Sequence, residues 1–135
     1  MRRLPALTID DARELMSACR NAAQAGGWQV SIVIVDSAGA VLLAERLQSR
    51  GFTMEVALGK ARTAAKLQQP SGAIAARIKD MPGLMALDIV PLQGALPLVA
   101  GDHCVGAIGV SGVAAADDEK IAAAGVAVFA RLSGV

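Results

Sequence analysis

His103 is the only histidine in a sequence of 135 residues, and so the only side chain whose ordinary proton affinity lies near neutrality. It follows Gly101-Asp102, a two-residue hairpin signal, which sets it where a side chain reaches solvent. An axial-ligand or acid/base role and a purely structural one are both open to it. Arg46, Lys60, Arg62 and Lys66 could form a cationic group suited to a carboxylate, or could equally make a solvated helix face. Ser111 lacks the Gly-x-Ser-x-Gly elbow, and no Ser/His/Asp or Cys/His arrangement follows from spacing. Cys19 and Cys104 make no metal-type spacing, so no metal site is expected. Asp117-Asp118-Glu119 reads as a helix start, where carboxylates complement the macrodipole.

Gly106-Ala107-Ile108-Gly109-Val110-Ser111-Gly112 is glycine-rich but spaced GxxGxxG, with no Lys-Ser/Thr after it, so it is not a nucleotide loop. Glycines inside a strand mark close approach by a ligand or by another backbone, and both are open here.

The elements that must position these residues follow from periodicity. Thr8-Ile9-Asp10-Asp11 has capping-box form, and Ala12, Leu15, Met16, Cys19, Ala22 and Ala23 recur at helical spacing, predicting a first helix up to Gly26-Gly27. Trp28 to Val35 predicts a central strand, Asp36-Ser37-Ala38-Gly39 a type I turn, and Ala40 to Arg46 its hairpin partner. Met54, Ala57, Leu58, Ala61, Ala64 and Ala65 predict a helix over Thr53 to Gln68. Pro70 ends it, and Ser71 is expected to cap a short helix to Lys79. Leu87 to Leu92, Leu96 to Ala100 and His103 to Val110 predict three further strands, hence a five-stranded, largely antiparallel sheet. A final helix begins at Asp117. Its apolar run Ile121 to Ala130 is too short to span a bilayer, and its small residues Ala123, Gly125 and Ala127 suit either a second subunit or the chain's own sheet.

Composition bounds the function. A net charge of +1 with scattered charges offers no field for nucleic acid, and an aromatic content of 2% without tyrosine offers no stacking platform for single strands. The hydrophobic fraction of 54% is high for a soluble domain, which points to apolar surface facing a partner subunit. The opening Met1-Arg2-Arg3-Leu4-Pro5 is broken before any apolar core of a signal peptide, and the cysteines read as buried thiols of a reducing compartment. The expected location is therefore cytoplasmic, with no membrane partner.

Three ordered segments together resemble the GlcG/HbpS family, whose domain also closes PduO-type proteins. They are Gly27 to Asp36 with Gly39 and Leu43 to Arg46, Lys60-Ala61-Arg62-Thr63-Ala64-Ala65, and Val105 to Gly112 with Asp117 or Asp118 downstream. The resemblance implies an α+β domain over residues 1–135, a five-stranded antiparallel sheet flanked by helices in profilin-like layers, homo-oligomers and, in some members, haem or corrinoid binding. The sequence departs from the family where Glu-Gly-Gly-x-Pro is usual: Gln93-Gly94-Ala95-Leu96-Pro97 lacks the carboxylate and adds a methyl.

The leading expectation is an oligomeric small-molecule-binding protein, with haem or a related tetrapyrrole as a possible ligand. Arg46, Lys60, Thr63, Gly94, Pro97 and His103 are expected nearest that ligand. One rival is an isomerase or lyase acting on a small carboxylate, with His103 as proton shuttle. The other is an assembly subunit built around its last helix.

Overall fold

The computed structural model describes residues 1–133. Helix α1, Ile9–Ala25, starts on the predicted capping box: Thr8 Oγ1 accepts from the Asp11 N–H, and Asp11 accepts from the Thr8 N–H at 2.9 Å. Strand β1, Ser31–Asp36, is buried along almost its whole length and turns through Asp36-Ser37-Ala38-Gly39 into β2, Val41–Arg46. Asp36 holds that turn twice, its carbonyl accepting from Gly39 and its carboxylate from Ala38 and Ala40. Helices α2, Phe52–Leu67, and α3, Ser71–Asp80, then cross to strands β3, Ala95–Ala100, and β4, His103–Ser111. Helix α4, Ala115–Leu132, closes the fold.

The sheet is antiparallel with order β2-β1-β4-β3 and lies between two helical layers. Strand alternation sends Ile32, Ile34, Ile108 and Val110 toward α1 and α4, and Val33, Val35 and Ala107 toward Ala57, Ala61 and Ala64 of α2. No helix among the described residues is long and apolar enough to cross a membrane.

The sheet has four strands, not the five predicted. Residues 87–92 were expected to form the extra one, but Pro82–Leu87 is a 3-10 stretch and the chain beyond it lies as a strap across α2. Its polar groups find partners without a neighbouring strand. The Val90 N–H donates to Thr63 Oγ1 at 2.7 Å, Lys66 Nζ donates to the Leu87 carbonyl at 2.7 Å, and the Leu92 N–H donates to Val90 O at 2.9 Å. Ile89 is buried with Ile74 and Leu84, so the apolar run that suggested a strand instead serves a small satellite core.

Ser71 does not cap α3. Pro70 holds the cap position, while the Ser71 hydroxyl donates to the Leu92 carbonyl and accepts from the Ala95 N–H, tying the strap to β3.

The glycine-rich strand is bare because backbones approach it. A Cβ on Gly109 would strike the Ala57 carbonyl and lie 2.8 Å from Ala61 N, so this position lets α2 rest on the sheet. A Cβ on Gly106 would meet the Val35 carbonyl, and one on Gly112 the Gln29 carbonyl at 2.6 Å. Gly125 of α4 works similarly: its missing Cβ makes room for the Cys19 thiol and Ile108, so the small residue at the centre of that helix serves the chain's own core. Ala123 and Ala127 remain exposed.

Candidate functional site

The residues expected around a ligand fall into three places. Lys60, Thr63 and Gly94 come together, but within the core. Lys60 Nζ donates to Asp118 Oδ2 at 3.1 Å and to the Val110 carbonyl at 3.0 Å, and the lysine is only 3% exposed. Burial pushes the Asp118 carboxyl up from its ordinary value, against the pull of Lys60 and of the Val113 N–H that it accepts at 3.1 Å. Gly94 stands at φ +140°, and a Cβ there would lie 2.6 Å from Lys60 Nζ. Thr63 Oγ1 donates to the Gly59 carbonyl while accepting from Val90. The Lys60 ammonium, the Thr63 hydroxyl and the Gly94 carbonyl, which accepts from the Val110 N–H at 3.0 Å, are thus all paired within the protein. Gln93 extends the same region, donating from Nε2 to Glu119 at 3.0 Å, so its amide serves as a strut to α4.

Pro97 lies in β3 opposite Ala107, and His103 is exposed at the β3–β4 turn opposite Ala100. Arg46 sits at the other end of the sheet, paired with Ser31, which in turn pairs with Ser111. Eight residue steps along β4 separate His103 from Ser111, about 26 Å at the usual rise. One small molecule cannot touch both His103 and Arg46 of the same chain.

Two open cavities of ≈ 540 and ≈ 460 Å³ adjoin across Gly27, Trp28, Gln29 and Gln48, which line both, to make a two-part cleft with Arg50 and Phe52 in the larger part and Arg46 in the smaller. Its walls come from three junctions. Gly27, at φ +67°, turns the chain out of α1, and the Trp28 indole lies flat over Gly26, where a Cβ would come 2.6 Å from the ring. Ser49, Arg50 and Phe52 come from the β2–α2 connection, and Ser111, Gly112 and Val113 from the exit of β4.

Hydroxyls hold this connection in place. Ser31 Oγ lies 2.9 Å from both Ser49 Oγ and Thr53 Oγ1, and Thr53 also donates to the Arg50 carbonyl at 2.7 Å. The backbone at 49–53 is thereby pinned to β1, which fixes where Arg50 and Phe52 emerge. The Arg50 guanidinium sits over the Phe52 ring, 5.0 Å from its centroid. Arg46 reaches the same point, since a Cβ on Gly51 would lie 3.2 Å from its Nη1.

Two guanidinium groups therefore converge on the rim, and no carboxylate lines either cavity among the described residues. The arrangement suits a molecule that joins carboxylates to a flat ring: arginines can fork onto the acid groups and the two aromatic rings can cover the flat body.

Arg46 alone of these was expected from sequence. Trp28, Arg50 and Phe52 were missed, although a sole tryptophan after Gly-Gly and an Arg-Gly-Phe step between strand and helix mark loops where binding residues concentrate. Two of the chain's three aromatic residues stand in this cleft.

Residues 7–127 match the family model described as haem degrading protein HbpS-like. The fold superposes on the crystal structure of a double mutant of Streptomyces reticuli HbpS with TM-score 0.90 and 30% identity, over 95% of this chain and 90% of that one. A 15.0 kDa protein from the dhaT-dhaS intergenic region of Citrobacter freundii is 27% identical over 133 residues, 93% of this chain and 94% of that protein. The crystal structure of a PduOC:haem complex shares the fold with TM-score 0.83 at 23% identity, over 91% of this chain and 94% of that one.

Proposed function

This chain belongs to the HbpS-like family, and on that premise we propose that it is an oligomeric small-molecule-binding protein whose cleft at Trp28, Arg46, Arg50 and Phe52 takes haem or a related tetrapyrrole. The observation that carries the reading is the convergence of two arginines and two aromatic rings on one cleft without an opposing carboxylate. The cavity volumes fall in the range of ligand pockets, roughly 300–1,000 Å³. A solved member of the fold is a haem complex, which supports the same ligand class.

Of the residues expected from sequence, Arg46 stays in this proposal. Lys60, Thr63 and Gly94 leave it because their polar groups are already paired inside the core. Pro97 and His103 leave it on position.

The test is a haemin titration of the purified protein, followed by quenching of Trp28, the only tryptophan, and by Soret absorbance. Saturable one-to-one binding is expected, weakened at least about tenfold by Arg46→Glu or Arg50→Glu with unchanged melting temperature. Absence of saturable binding, or affinity indifferent to both arginines, overturns the reading.

The reading of an isomerase or lyase for a small carboxylate needs its acid/base group and its arginine within one small molecule's length. The separation of His103 from Arg46 does not favour it. Self-association finds support in the exposed apolar side chains Met81, Met85, Leu87 and Leu92, which cluster in sequence around the strap. Sedimentation of wild-type and Met85→Glu protein tests it, a shift to monomer in the variant being the expected result.

A further inference from the structure

Haem iron in proteins is held by imidazole, thiolate, thioether or phenolate. The cleft is lined by Gly, Trp, Gln, Arg, Leu, Ser, Phe, Thr and Val alone, and the chain has no tyrosine at all. The single histidine stands at the far end of β4. The two Cys are also elsewhere: Cys19 is buried between α1 and α4 beside Gly125, and Cys104 follows His103 in β4. Of the hydroxyls at the cleft, those of Ser49 and Thr53 are bonded to Ser31 and to each other, and that of Ser111 is an aliphatic hydroxyl, outside those ligand classes. The residues present thus fit the acid groups and flat body of a tetrapyrrole but offer nothing that fits its metal.

We infer, resting on the reading above, that this chain recognises the porphyrin ring and its carboxylates and leaves the central metal without a protein ligand, so that a metal-free porphyrin dicarboxylate is as good a ligand as haem. The physical reason is additive: the arginine contacts and the stacking on Trp28 and Phe52 are the same whether or not the ring holds iron. An axial bond, the one contact that would discriminate, has no donor among the described residues lining the cleft, which include no His, Cys, Met or Tyr. The substrate class is therefore the tetrapyrrole dicarboxylate irrespective of metal, which extends to the metal-free ring.

The experiment is a pair of titrations on the full-length protein, with haemin and with protoporphyrin IX, read by Trp28 quenching and repeated with His103→Ala. Because each chain has one histidine, that variant removes every imidazole, including any from a second copy. The inference expects the two dissociation constants to agree within about threefold, no effect of His103→Ala, and a high-spin haemin spectrum throughout. A haemin affinity more than about tenfold above that of protoporphyrin, or a low-spin Soret band lost in His103→Ala, overturns the inference while leaving the tetrapyrrole reading standing. If neither compound quenches Trp28, the cleft reading itself fails and this inference with it.

Discussion

Lys60 of α2 and Asp118 in the first turn of α4 form an ion pair across the end of the sheet, Nζ to Oδ2 3.1 Å, with both side chains at most 4% exposed. The same ammonium bonds the Val110 carbonyl, and the other carboxylate oxygen accepts from Val113, so one pair ties the two helical layers to the exit of β4. That exit forms one wall of the cleft.

Breaking this pair from one side leaves a buried charge. Lys60→Met should cost about 3–5 kcal/mol at neutral pH, measured by urea denaturation. Burial already pushes the Asp118 carboxyl up, and without Lys60 it rises further above its unfolded value. A carboxyl raised on folding favours the folded state when protonated, so the deficit of Lys60→Met should shrink as pH falls toward 4. A deficit independent of pH would contradict this account.

Arg20 and Glu45 carry the opposite sign. The guanidinium bonds both carboxylate oxygens, 2.7 Å from Nε and 2.6 Å from Nη2, and holds the Glu45 carboxyl below its ordinary value. Its stabilisation is present above the unfolded value and lost as pH falls through the folded one. Both side chains are partly exposed, so the contribution should be about 1 kcal/mol or less. Wild type should therefore lose more stability than Glu45→Gln between about pH 5 and 3, as melting temperatures across that range will show.

Gly109→Ala places a methyl against the Ala57 carbonyl and Ala61 of α2, where the obstacle is backbone. It should destabilise by about 3 kcal/mol, the upper end for overpacking. Gly83→Ala meets nothing within 4 Å and should change stability by no more than about 0.5 kcal/mol. Equal effects would mean that the helix does not rest on the strand as described.

Burial pushes the Cys19 thiol up to about 12, whereas Cys104 is half-buried near the β3–β4 turn. A disulfide reagent at pH 8 should titrate one thiol in the folded protein and two in denaturant, and none in folded Cys104→Ala. Rapid modification of both thiols in the native state would refute the packing of α1 on α4.

Thr63→Val removes the acceptor of the Val90 N–H and should cost about 1–3 kcal/mol, while Thr63→Ser keeps it and costs less. If the two variants match, the strap does not depend on that bond.

Much of the fold is legible in the sequence because it rests on local signals. The capping box at Thr8, the hairpin turn at Asp36, the helical stripe of Ala57, Ala61 and Ala64, and the turn at Gly101-Asp102 all hold in the structure. The resemblance carried by residues 27–46, 60–65 and 105–112 belongs with them, and the family is confirmed over residues 7–127.

Where a segment's partners are distant, the local signal fails. The apolar-rich segment 87–92 reads as a strand, but Thr63 and Lys66, more than twenty residues earlier, take its backbone groups. Bare glycines at 106, 109 and 112 read equally as ligand or packing positions until the backbones of residues 35, 57 and 29 are seen against them.

By itself the sequence determined the helices, the hairpins and the antiparallel class, since these follow from periodicity, capping and turn chemistry within a few residues, and it carried the family through the resemblance of three ordered motifs. Only the tertiary structure decided the number of strands and which cations line the cleft. It put Lys60 in the core and Arg46 and Arg50 beside Trp28 and Phe52, because a side chain's neighbours across a sheet depend on strand order and register, which no local pattern encodes.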